Sequence, residues 1–153
     1  MISNFKKIGM LLLIVFFASC NSSSNDLKIG IIENNKYSIT KDLTEFKSNW
    51  NNILLENKIQ GKITNLEIKK GFDIEGTPKD YYYLLATTTT KKAKIARMLL
   101  LEDNTFYLDT IDSTVAICHG STDCTPDRFA NKWGCNSDSI YDCKKTVILQ
   151  MNE

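Results

Sequence analysis

The sequence is poor in the residues that most enzyme signatures need. It holds one histidine, two prolines and seven glycines. With His119 as the sole histidine, Ser-His-Asp chemistry would have to run through that one residue. No GxSxG, P-loop or GxGxxG occurs, so the nucleophile elbow and the common phosphate-binding loops are missing. No CxxC occurs either, which excludes a thioredoxin-type dithiol and CxxCH haem attachment. Charge of one sign is not in excess, at 19 basic and 18 acidic side chains. A near-neutral chain lacks the basic footprint that nucleic acid requires. It also lacks a basic cluster for anionic lipid headgroups. The longest apolar run, Ile8 to Phe17, is shorter than the roughly 20 residues a membrane-spanning helix needs. There is no internal repeat.

What is present begins at the N-terminus. Lys6 and Lys7 precede the apolar run, and the small pair Ala18-Ser19 follows it just before Cys20. Charge, apolar core and small residues in that order make a secretory signal. Phe17-Ala18-Ser19-Cys20 resembles the lipobox of bacterial lipoproteins, with Phe17 standing where the pattern has an aliphatic residue. The resemblance covers residues 1–20. It implies cleavage before Cys20, a diacylglycerol on its thiol, and acylation (palmitate or a similar chain) of the new amino terminus. Each buried acyl CH₂ contributes about 0.8 kcal/mol, and two or more chains hold a protein durably. In such lipoproteins an Asp after the lipidated cysteine signals inner-membrane retention. Asn21 occupies that place here, so the expected destination is the outer membrane.

Residues 1–19 are thus the expected leader, 20–26 a lipidated cysteine and polar tether, and 27–153 a single domain. Losing the leader removes two lysines and no acid, leaving 17 basic side chains against 18 acidic. The remaining length is enough to bury a core unaided.

Leu27–Ile32 and Lys36–Thr40 read as two strands joined at Asn34-Asn35, a turn pair. Asp42–Lys58 reads as a helix. Leu43, Phe46, Trp50, Ile53 and Leu54 recur at three- and four-residue steps, making one apolar stripe. Asp42 and Glu45 have capping-box spacing, and Lys58 and Gly61 fit the exit. After Gly61 the period becomes two, predicting a strand through Lys70, and Gly71–Lys79 reads as a loop. Tyr81–Thr90 is dense in aromatic and β-branched residues and predicts a strand. Ala93–Leu101 has helix-favouring composition but sits between strand-like segments, and is assigned as strand. Glu102-Asp103-Asn104 is a turn. Thr105–Leu108, Thr114–Cys118 and Thr146–Met151 are further strands. The predicted class is α+β: one helix packed on a curled antiparallel sheet, ending in a disulfide-stapled C-terminal loop region. In element order this is similar to cystatin-like and nuclear-transport-factor-like rolls, a similarity that carries no function.

Cys118, Cys124, Cys135 and Cys143 lie in the last 36 residues, in polar, turn-rich sequence with little core of its own. Export places such a segment in an oxidising compartment, and an even number remains once Cys20 is set aside. Two disulfides are expected, in any of three connectivities. A tetrahedral metal site of the four cysteines, or of three with His119, is the alternative. Its spacings lack the close ligand pairs of zinc sites. Cys118-His119 as a reactive pair is disfavoured because adjacent strand residues face opposite ways. The tail, with Cys124-Thr125-Pro126 and Trp133-Gly134-Cys135, is similar to cysteine-rich tails of small uncharacterised bacterial envelope lipoproteins, which implies a module and no activity.

Asp109, Asp112, Asp123 and Asp127 offer oxygen ligands for calcium, but read as a solvated rim, since they do not match the spaced EF-hand loop. Tyr81-Tyr82-Tyr83 reads as sheet packing ahead of a ligand face. The leading expectation is a non-enzymatic binding or structural module of the cell envelope, held by its lipid anchor and needing no cofactor. Phe129 and Trp133 are its expected exposed anchors, for an envelope protein or small ligand. The alternative is an envelope enzyme or metal-binding factor using the four cysteines and His119.

Overall fold

A computed structural model describes residues 27–73, 78–138 and 142–149. The expected leader, Cys20 and the tether lie outside these residues. Ten strands and one helix follow in the order β1 (Lys28–Glu33), β2 (Lys36–Ile39), α1 (Thr44–Glu56), β3 (Ile63–Asp73), β4 (Lys79–Thr88), β5 (Ala93–Glu102), β6 (Thr105–Leu108), β7 (Thr114–His119), β8 (Thr125–Phe129), β9 (Lys132–Asn136) and β10 (Lys144–Leu149). No helix among the described residues is long and apolar enough to cross a membrane.

The α+β expectation holds: one helix on a nearly closed, curled antiparallel sheet, with two disulfides near the C-terminus. β5 is its hub. Along one edge it pairs with β4. Along the other, Ala93–Arg97 pairs with β7 and Leu99–Glu102 with β6. The chain between β6 and β7 therefore marks a fork. One branch runs β6-β1-β2 and curls until β2 lies beside β3, while the other runs β7-β10. The hairpins turn on paired left-handed residues, Asn34-Asn35 (φ 49° and 58°) and Asp103-Asn104 (φ 45° and 62°). Such pairs match the twist of the flanking strands. Ala93–Glu102 is a strand, as its setting between strands predicts; tertiary pairing overrides its helical composition.

The helix is shorter than its periodicity suggests, and the capping box does not form. Leu43 is the N-cap, and Asp42 Oδ1 accepts from the Thr44 amide at 2.9 Å and the Thr44 hydroxyl at 2.7 Å. Asp42 thus accepts from the first helical amide, but from one residue before the N-cap rather than from the cap position itself. At the exit Lys58 is left-handed (φ 57°), as its position predicts. The stripe works as expected. Leu43, Trp50 and Leu54 are buried, Phe46 and Ile53 partly so, against Ile29, Leu84, Ile95, Phe106, Val115 and Ile117 of the sheet's inner face. Each such side chain contributes roughly 1.5–3 kcal/mol of burial.

Gly71 does not begin a loop. β3 runs on to Asp73, and Gly71 stands opposite Tyr81, whose ring lies over it. A Cβ there would meet Tyr81 Cζ at 2.1 Å, so the glycine makes room for a ring. Gly120, at φ +130°, is equally committed: a Cβ would lie 1.5 Å from the Asp142 carbonyl oxygen.

Candidate functional site

The disulfide-stapled C-terminal region carries regular structure between its loops. Thr125–Phe129 and Lys132–Asn136 form a hairpin, β8–β9, that lies over the outer face of the sheet. Beneath it is a second apolar cluster of Tyr81, Tyr83, Leu85, Ala96, Ala116 and Trp133, with Met98 against it. Strand alternation assigns the faces. In β4, Leu84 and Ala86 point to the helix while Tyr81, Tyr83 and Leu85 point to the hairpin.

Trp133 is therefore not an exposed anchor. It is 5 % exposed. Its ring stands edge-on to Tyr83 at 5.8 Å and Tyr81 at 6.4 Å. The Arg128 guanidinium lies 5.2 Å above it. The polar sequence around Trp133 conceals this, because the apolar surface it covers comes from distant strands. Phe129, on the outward side of β8, is 38 % exposed and packs on Gly134.

The hairpin is fastened all round. Its turn, Ala130-Asn131, is left-handed at both residues (φ 50° and 62°). The buried Asp73 carboxylate at the end of β3 accepts from both turn amides, at 3.1 Å and 2.8 Å. Tyr81 donates its hydroxyl to Asp127 at 2.7 Å and accepts from the Arg128 amide at 3.1 Å. Burial, then this bond to Asp127, pushes the Tyr81 phenol far up. Lys94 Nζ donates to Thr125 Oγ1 at 2.6 Å, with burial pushing the ammonium down. Lys145 Nζ donates to the Trp133 carbonyl at 3.0 Å.

Arg128 ties the hairpin to the fork. Its Nη1 lies 2.6 Å from Asp112 Oδ2, and Nη2 donates to the Asn131 carbonyl. Burial pushes the Asp112 carboxyl up, but the Thr114 and Arg128 hydrogen bonds outweigh it and hold the group below its ordinary value. The sign follows. A depressed carboxylate stabilises the fold above its unfolded value near 4, and that contribution is lost as pH falls through the folded value. The urea midpoint should therefore drop as pH falls below about 4, and less steeply in Asp112→Asn. Equal slopes in the two proteins would show that Asp112 carries no linkage.

The cysteines pair as Cys118–Cys135 and Cys124–Cys143, with Cα atoms 5.7 Å and 5.5 Å apart. Of the three connectivities this is the crossed one. Cys118 and Cys124 are fully buried, while Cys135 and Cys143 are half-buried. The Sγ atoms of Cys118, Cys124 and Cys135 all lie within 4.8 Å of one another.

His119 is not with them. It alternates to the other face of β7 and lines a small cleft with Ile59, Thr90 and Lys92. Burial, then the Lys144 charge, pushes its imidazole down. The four aspartates are spread among structural tasks. Asp109 caps the fork loop through the Ile111 and Asp112 amides, at 2.8 Å and 3.0 Å. Asp123 accepts from Ser137 and the Asp138 amide, at 2.7 Å and 2.9 Å. Asp112 and Asp127 hold Arg128 and Tyr81. Of the three tyrosines, Tyr82 turns inward to Tyr37 and Phe106. No protein-family model, curated protein or solved structure matches the chain.

Proposed function

We propose that this chain is exported, cleaved before Cys20 and held in the cell envelope by lipid on that cysteine, its folded part serving as a non-enzymatic binding or structural module. The observation that carries the reading is cysteine arithmetic. Four of the five cysteines are joined in two disulfides, so the Cys20 thiol is left with no cysteine of this chain to pair with. Disulfides persist in oxidising compartments, and a leftover cysteine behind a signal-like leader is where lipid would be added. The tether Asn21–Asp26 extends to about 20 Å at most, which keeps the domain near the bilayer. The asparagine at position 21 favours the outer membrane. The outward flank of the hairpin, with Phe129 exposed, is the surface offered to an envelope protein or small ligand.

Metabolic labelling with palmitate tests this. The full-length protein is expected to take up label and fractionate with the outer membrane. Cys20→Ser is expected to take up none and be released in soluble form. Label that is absent, or unchanged by the substitution, removes the anchor from the proposal.

A further inference from the structure

The sulfur cluster is built for more than holding the hairpin. Cys124 belongs to one disulfide, yet its Sγ lies within 4.8 Å of both sulfurs of the other. Cys135 Sγ in turn lies 3.8 Å from the carbonyl oxygen of Lys144, the neighbour of Cys143. Both sulfurs of the Cys118–Cys135 bridge are thus close to Cys124 of the other bridge. From these distances we infer that the four cysteines form a thiol-exchange site, where an external thiol converts the crossed pairing into the consecutive pairing Cys118–Cys124 and Cys135–Cys143, and back.

The chemistry balances without net oxidation. A thiolate, RS⁻, attacks Cys143 Sγ, which is half-exposed, whereas Cys124 is fully buried. The Cys124–Cys143 bond breaks, RS–Cys143 forms, and the electron pair leaves on Cys124 as thiolate. That thiolate attacks Cys118 Sγ, so the Cys118–Cys135 bond breaks and the Cys118–Cys124 bond forms. The pair now leaves on Cys135. Negative charge is better solvated on a half-exposed sulfur than on a buried one, which favours this direction of cleavage. Cys135 thiolate then attacks Cys143, forming Cys135–Cys143 and expelling RS⁻ unchanged. Attack at Cys135 first gives the same product by the mirror sequence. Because exchange proceeds through thiolates, the rate rises with pH through the thiol's ionisation.

The substrate class is a small thiol or the thiolate of a partner protein. The consequence is structural. The crossed bridges tie β8 and β9 to β7 and to the start of β10. In the consecutive pairing each bridge closes only a short local loop. The inference is independent of the lipid anchor, because it concerns sulfurs beyond residue 117 alone.

Trypsin provides the readout. No lysine or arginine lies within 98–127 or 133–143, so cleavage gives one peptide, 98–128, with Cys118 and Cys124, and another, 133–144, with Cys135 and Cys143. Crossed bridges keep the two joined. Consecutive bridges let them separate, each retaining its own disulfide. The natively oxidised mature protein, with Cys20→Ser, is incubated with substoichiometric reduced glutathione, quenched by acid and alkylation, and digested. The expected result is separated, internally bridged peptides that accumulate with time while protein thiols stay near zero. Peptides that remain joined overturn the inference. So do peptides that separate only in step with the appearance of free protein thiols, which is plain reduction. The variant Cys124→Ser with Cys143→Ser keeps one bridge and no third sulfur, and its peptides are expected to stay joined. Separation at the wild-type rate in that variant would remove the role given to Cys124.

Discussion

Trp133→Ala is expected to lower the unfolding free energy by about 3–5 kcal/mol, the usual range for a buried tryptophan in a core that cannot collapse around the gap. Its surroundings are fixed by strands already paired. Tyr81 and Tyr83 stand on β4, Ala96 and Met98 on β5, and Ala116 on β7. The disulfides hold the hairpin at a set height above them, so the cavity stays open. Arg128 also loses the ring beneath it, and cation–π contacts of this kind contribute about 0.5–2 kcal/mol. Trp133→Phe should cost far less. The indole N–H has no acceptor among the described residues, so its removal breaks no hydrogen bond. Urea unfolding of the three proteins decides the matter. If the alanine variant loses less than about 1 kcal/mol, the hairpin rests on its polar ties and bridges, and the second cluster contributes little.

The bridges themselves carry the second large effect. Cys118–Cys135 closes a span of 17 residues and Cys124–Cys143 one of 19. Restriction of the unfolded chain by loops of that size stabilises by about 3 kcal/mol each. The two loops overlap in sequence, so the sum is not additive. Full reduction is expected to loosen the cross-linked segment, residues 118–143, and above all the β8–β9 hairpin, while the main sheet and the helix-side core stay folded. That core draws Ile29, Trp50, Leu84, Ile95 and Phe106 from segments which no bridge joins. Far-ultraviolet circular dichroism should change little, and hydrogen exchange should speed up across β8 and β9 first. Loss of all secondary structure on reduction would show that the inner core depends on the hairpin roof.

The inner layer was legible because its signals are local. Asn34-Asn35 and Asp103-Asn104 announce turns by residue type. The stripe from Leu43 to Leu54 announces a helix by period. The outer layer has no such signals. β8 turns Pro126 and Arg128 inward and so shows no apolar alternation, while β9 alternates only through Trp133 and Cys135, too short a run among polar neighbours to stand out. Their turn is Ala130-Asn131, an alanine in a left-handed conformation that composition does not flag. It is held by Asp73, 57 residues back in sequence. The same distance effect hid the length of β3, where a glycine that accommodates Tyr81 looks like a strand ending. Strand β4 is covered on both faces, which is why YYYLLATT shows no period of two. The number of bridges followed from compartment and parity. Their pairing depended on which strands meet, and spacing does not contain that.

One tryptophan sits in each layer. Trp50 lies inside the curl of the sheet with Phe46 at 5.9 Å, and Trp133 lies under the hairpin beside a guanidinium. The chain thus carries its own pair of optical probes, one per core and no others among its residues. A single-tryptophan version made with Trp50→Phe would glow only from the roof, and one made with Trp133→Phe only from the core inside the curled sheet. Melting the two side by side would show whether the layers come apart as one cooperative unit or in sequence, with no dye attached.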